Sequence, residues 1–184
     1  MAETPSTMVK LGTQAPDFNL PNVMEDKPFS LNDCRGAQAL LVMFICNHCP
    51  FVKHVKSEFK RLEKDYLSKG IRIVAINSND IQNYPQDSPE NMRKVAKAEG
   101  WTFPFLFDET QKVAKAFQAA CTPDFFLYDR ELKLVYRGQL DDSRPRNSKP
   151  VTGKDLRVAL DALLSGKAVS SDQKPSIGCN IKWK

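Results

Sequence analysis

The sequence lacks any run of about 18 apolar residues, so no membrane-spanning helix is expected. Residues 1–10 are polar and contain no apolar stretch of the signal-peptide kind, so the expected compartment is the reducing cytoplasm. No internal repeat, low-complexity tract or Gly-rich phosphate loop of the G-x-x-x-x-G-K type is present. Charge of one sign is also scarce, with a net value of only +5. The densest basic group is Lys53, Lys56, Lys60, Arg61 and Lys64, which helical spacing spreads over a broad solvated face rather than a nucleic-acid stripe. What remains is an ordinary globular composition, 41% apolar and 27% charged, over 184 residues. That length suits one domain with a sizeable core.

Cysteine is the informative residue. There are five: Cys34, Cys46, Cys49, Cys121 and Cys179. An odd count in a chain long enough to fold without crosslinks argues against a disulfide framework, so each thiol is read separately.

Residues 17–20 and 28–31 flank a turn-rich stretch and predict an N-terminal β-hairpin. Residues 38–45 (QALLVMFI) are almost continuously apolar, the pattern of a central strand buried on both faces. From Pro50 to about residue 68, Phe51, Val52, Val55, Phe59, Leu62 and Tyr66 recur mostly at steps of three and four and predict an amphipathic helix ended at Gly70. Strands are expected over residues 71–76, 103–107, 125–128 and 132–137, and helices over 88–98, 110–118 and from Thr152 or Gly153 onward. Residues 166–184 read as a polar tail. The order predicts an α/β fold: a mixed central sheet flanked by helices, with the hairpin in front and an α-β insertion before the second half.

The chemistry gathers at Cys46-Asn47-His48-Cys49-Pro50, just past the end of a buried strand, where open α/β sheets place their sites. With Pro50 as the first helical residue, Cys49 falls at the N-cap, where unpaired N–H groups and the helix dipole favour a thiolate. Lys53, His48 and His54 add nearby positive or polarisable groups. These conditions make Cys49 the expected nucleophile. Cys46 completes a C-x-x-C and is its first candidate partner. Cys46, His48, Cys49 and His54 also have the donor types of a zinc or copper site. At roughly 100° per residue, however, positions 49 and 54 are about 500° apart and do not face alike, so no metal or other cofactor is expected.

These residues resemble the thioredoxin superfamily, and within it the redoxin branch related to alkyl hydroperoxide reductases. Gly12-Thr-Gln-Ala-Pro-Asp-Phe-Asn-Leu-Pro21 is similar to that branch's opening signature, and Phe29-Ser-Leu-Asn-Asp-Cys-Arg-Gly36 to the segment leading into its first core strand. Cys121-Thr-Pro-Asp-Phe-Phe-Leu-Tyr128 resembles the superfamily's cis-proline strand, with Pro123 as the proline. His48-Cys-Pro-Phe-Val52 resembles a peroxiredoxin-like family of bacterial proteins. The likeness spans roughly residues 11–165 and implies a thioredoxin-like domain over residues 1–165, followed by the tail.

The resemblance implies a thiol–disulfide oxidoreductase. Cys49 would be the nucleophile, Cys46 or Cys121 would resolve it, and Pro123 would shape a groove beside Thr122, His48 and Pro50. Its partners would be a protein or small-molecule disulfide, or a peroxide in an antioxidant role, and a cellular thiol reductant. Neither nucleic acid nor membrane is implied, and the protein would be a monomer or homodimer. Two alignments stay open: Cys46 or Cys49 takes the family's first-cysteine place, and the helix start at Pro50 favours Cys49. The peroxiredoxin pattern Pro-x-x-x-Thr-x-x-Cys is broken, because Val42 and Cys46 stand where its proline and threonine belong. That ranks disulfide exchange above peroxide reduction, with a non-enzymatic metal- or partner-binding module as the third reading. Cys34 is expected to be structural. Cys179 lies in the polar tail beside Ser176, Ile177 and Gly178, where its thiol either folds back onto the site or has no role.

Overall fold

The computed structural model describes residues 3–184. The chain runs through β1 (Glu3–Pro5), β2 (Asn19–Pro21), β3 (Pro28–Ser30), β4 (Ala39–Phe44), α1 (Pro50–Tyr66), β5 (Ile71–Asn77) and α2 (Pro89–Glu99). It continues through β6 (Phe105–Phe107), α3 (Lys112–Phe117), β7 (Cys121–Thr122), β8 (Asp124–Tyr128), β9 (Leu134–Gly138), α4 (Lys154–Leu164) and β10 (Ile177–Asn180).

β4 is apolar throughout because it lies at the centre of a five-stranded sheet of order β6-β5-β4-β8-β9. β5 and β6 run parallel to it on one side, and β8 and β9 alternate antiparallel on the other. Successive side chains of β4 enter opposite cores. Leu41 and Met43 meet Val52, Val55 and Phe59 of α1 and Leu156 and Leu160 of α4. Leu40, Val42 and Phe44 meet Phe117 of α3 and the N-terminal Phe18 and Leu20. The mixed sheet, the flanking helices and the β2–β3 hairpin thus stand where the sequence pattern expects them.

α1 starts at Pro50, whose missing N–H is harmless in a first turn. Its buried stripe is Val52, Val55, Phe59, Leu62 and Tyr66. After a short 3-10 turn the chain reverses at Gly70, with φ 86°. Ser88 caps α2 by accepting the Asn91 N–H. No helix among the described residues is long and apolar enough to cross a membrane.

One expectation changes. Residues 166–184 do not hang free: they return across the molecule, and β10 inserts between β1 and β7 as a second, three-stranded antiparallel sheet. Gly178 makes this possible. A Cβ there would lie 2.0 Å from the Thr122 carbonyl oxygen, far inside contact distance, so only glycine permits the approach. Little in the sequence marks this strand, because Ile177-Gly-Cys-Asn180 has no alternation and its partners lie at the opposite end of the chain and in a two-residue strand.

Candidate active site

β4 delivers the chain into the Cys46–Cys49 turn, with the Ile45 N–H still bonded to the Ile76 carbonyl at 3.0 Å. The turn is held by Asp87, which is fully buried. Its Oδ1 accepts the Asn47 N–H (2.7 Å) and the His48 N–H (3.2 Å). Its Oδ2 meets His48 Nδ1 at 2.5 Å and accepts Asn79 Nδ2 at 2.8 Å. Tyr84 stacks on the His48 ring at 5.1 Å. Burial pulls the Asp87 carboxyl upward, but the bonds from His48, Asn79 and Asn47 outweigh it and hold the group below the ordinary carboxylate range. His48 is therefore turned onto Asp87, and Asp87 is a site residue the sequence reading missed.

A folded-state carboxyl pKa below its unfolded value gives stability that is present above the unfolded pKa and lost as pH falls through the folded one. Asp87→Asn should therefore cost about 1–3 kcal/mol near neutrality, the cost of leaving buried donors poorly satisfied. Urea unfolding should show the gap between variant and wild type closing as pH drops through and below the carboxylate range.

Cys49 is the N-cap of α1 and is 0% exposed. As a thiol it makes no side-chain bond to the helix and donates to the Thr122 carbonyl at 3.2 Å. Cys46 Sγ lies 3.3 Å from Thr122 Oγ1, so one residue touches both thiols through two different atoms. Donation from the Cys46 thiol is the largest influence on Cys49. Burial opposes it, and the Cys179 thiol and the N–H groups of Val52 and Cys179 assist, bringing Cys49 down to about 5. Cys46 moves the other way, well above an ordinary thiol, because its proton serves Cys49 and because it is buried. The arrangement is an anionic sulfur at a helix start with a protonated thiol beside it.

Pro123 follows through a cis Thr122–Pro123 bond. Pro50, Cys46, Cys49, Thr122 and Pro123 are thus brought together. Cys121 is 0% exposed, gives its S–H to the Pro123 carbonyl at 3.6 Å and is raised by burial. His54 bonds to Ser143 Oγ at 2.7 Å, away from the turn. Cys34 packs in the hairpin-side core near the Ser30 carbonyl (3.8 Å), and burial raises it to about 12. Cys46, His48 and Asp87 bring potential metal-ligand atoms within 4.8 Å of one another, but the carboxylate of Asp87 is already engaged by Asn47, His48 and Asn79.

Residues 11–137 match the AhpC/TSA family. The thiol-disulfide oxidoreductase ResA of Geobacillus thermodenitrificans is 28% identical over 131 residues, covering 71% of this chain and 70% of that protein. The crystal structure of an uncharacterized conserved protein from Geobacillus kaustophilus superposes with a TM-score of 0.98 at 61% identity, covering 100% of this chain and 97% of that one. A thiol:disulfide interchange protein of the thioredoxin family from Chlorobium tepidum superposes with a TM-score of 0.62 at 20% identity, covering 88% and 99%. At that identity the likeness shows the fold alone, which is thioredoxin-like.

Proposed function

This chain belongs to the AhpC/TSA family, and from that premise we propose that it is a thiol–disulfide oxidoreductase with the Cys49 thiolate as nucleophile and Cys46 as the thiol that resolves it. The observation that carries the reading is the Cys49 sulfur at the start of α1, drawn to about 5 by the Cys46 thiol beside it. The name and length coverage of the ResA relative support the same chemistry.

In the first step the Cys49 thiolate attacks a substrate disulfide R–S–S–R′. A Cys49–S–S–R bond forms, the substrate bond breaks, and R′S⁻ leaves and takes a proton. Cys46 then gives up its proton and attacks the Cys49 sulfur, releasing RSH. The substrate is reduced by two electrons and Cys46–Cys49 becomes a disulfide, which a cellular dithiol reopens. Cys121 is the weaker resolver because its S–H is directed to Pro123.

The family match favours peroxide reduction as the second reading. There Cys49 would take one oxygen from ROOH, release ROH and become a sulfenic acid, which Cys46 would condense to the same disulfide with loss of water.

The test is stoichiometry with hydroxyethyl disulfide. One equivalent added to reduced protein should release two equivalents of mercaptoethanol and leave Cys49 in an intramolecular disulfide. Intact reagent and a Cys49 that still alkylates would contradict the reading.

A further inference from the structure

Three thiols converge on Thr122. Cys46 lies against its hydroxyl and Cys49 against its carbonyl. Cys179, in β10, stands directly opposite it in the antiparallel register. β10 is fixed there by the residues just before Cys179: Gly178 sits against the Thr122 carbonyl, and Ser176 Oγ donates to the Pro123 carbonyl at 2.7 Å. The Cys179 thiol and N–H both act on the Cys49 sulfur. Cys49 therefore has two thiol neighbours, delivered by different parts of the chain.

Those neighbours open in different directions. Cys46 lines a cavity of about 230 Å³ with Val52, Lys53, Lys56 and Trp101. Cys179 lines another, of about 250 Å³, with Pro50, Phe51, Arg144 and Arg146. The two share no lining residue. At roughly 100° per residue, Pro50 and Phe51 face one flank of α1, and Val52, Lys53 and Lys56 face the other, about 160° away. Cys49 borders neither cavity.

We propose that Cys179 is the third redox thiol of the site: the disulfide passes between Cys46–Cys49 and Cys49–Cys179, so that its partner sulfur can be presented to a reductant at either of two cavities. The proposal rests on Cys49 being the nucleophile. In the exchange the Cys179 thiolate attacks the Cys49 sulfur of the Cys46–Cys49 disulfide. The Cys49–Cys179 bond forms, the Cys46–Cys49 bond breaks, and Cys46 leaves as a thiolate that takes up the proton Cys179 gave. No electrons enter or leave, and no co-reactant is needed.

Electrostatics favour the order of events. Burial first, and then the hydrogen bond to and charge of Cys49, push the Cys179 thiol up to about 12. Once Cys49 is in a disulfide its charge is gone, and only burial still opposes ionisation of Cys179. The third thiol is thus held back until Cys49 has reacted.

The test is peptide mapping without reduction after oxidation by hydroxyethyl disulfide and rapid alkylation. Wild type should contain both the Cys46–Cys49 and the Cys49–Cys179 peptide pairs. Cys46→Ser should contain Cys49–Cys179, and Cys179→Ser should contain Cys46–Cys49. In the double variant the hydroxyethylthio adduct on Cys49 should accumulate at least about tenfold over either single variant, because the neighbouring thiol that remains is the weaker resolver Cys121, whose S–H is directed to the Pro123 carbonyl. Cys46→Ala repeats the measurement with a substitution that adds no hydroxyl to the buried site.

If Cys46→Ser and Cys46→Ala hold the adduct as stably as the double variant and yield no Cys49–Cys179 pair, the third-thiol proposal is overturned. A wild-type Cys46–Cys49 pair in that experiment would leave the proposed function standing. If Cys49 stays reduced in wild type, the proposed function fails and the third thiol with it.

Discussion

Replacing Cys49 with serine should lower disulfide reduction by about a thousandfold, because a serine hydroxyl does not ionise in the accessible pH range and cannot form the mixed disulfide. Every step assigned to the site passes through that sulfur, so neither Cys46 nor Cys179 compensates. The fold should survive. Cys49 is the N-cap of α1, and serine is a preferred residue at that position. Turnover of hydroxyethyl disulfide with a dithiol reductant, measured beside a thermal melt, separates loss of chemistry from loss of structure. Cys34→Ser is the natural control, since Cys34 packs in the other core, near Ser30, and its loss should leave the rate at the wild-type level.

Arg137→Met should cost about 3–5 kcal/mol of stability, the usual consequence of removing one partner of a buried ion pair. Arg137 and Asp124 are both 0% exposed and meet at 3.1 Å. The guanidinium also donates to the Gln118 carbonyl at 2.9 Å and lies over the Phe126 ring. Burial raises the Asp124 carboxyl, and Arg137 offsets part of that. Without the arginine, a buried carboxyl immediately after Pro123 loses its cation. Adding Asp124→Asn removes the stranded charge, so the double variant should recover part of the loss. Denaturant unfolding of the three variants checks both statements, and failure of the double variant to recover would show that packing, not charge, sets the cost.

The sequence displayed the site's first half because it is local. Residues 38–45 announce a buried strand, Pro50 announces a helix start, and the thiol between them needs no distant partner to be noticed. Pro123 was legible by resemblance, and its neighbour Thr122 proves to touch both Cys46 and Cys49. Asp87 was not legible. It lies in a polar loop about forty residues downstream, where one more aspartate carries no pattern, and only the fold of β5 and the following loop brings it under Asn47 and His48.

The strand that carries Cys179 was hidden for a related reason. β10 is short, contains a glycine and pairs with β1 from the other end of the chain, so neither alternation nor local turns mark it. Gly178 adjoins a cysteine in a chain with an odd number of thiols, and a glycine there is what allows β10 to press against Thr122. Cys121 shows the converse. Its place two residues before Pro123 suggested a partner for Cys49, whereas its proton is directed to the Pro123 carbonyl.

The most direct measurement is the pH dependence of Cys49 alkylation by iodoacetamide in the reduced protein, read at that residue by mass spectrometry. The thiolate is the reactive form, so reactivity should fall as pH drops through the Cys49 pKa and stay nearly level above it. The account predicts a midpoint at about 5 in wild type and a higher one in Cys46→Ser, where the thiol donor is lost. A wild-type profile that keeps climbing to about 8.5, as an ordinary cysteine does, would contradict it.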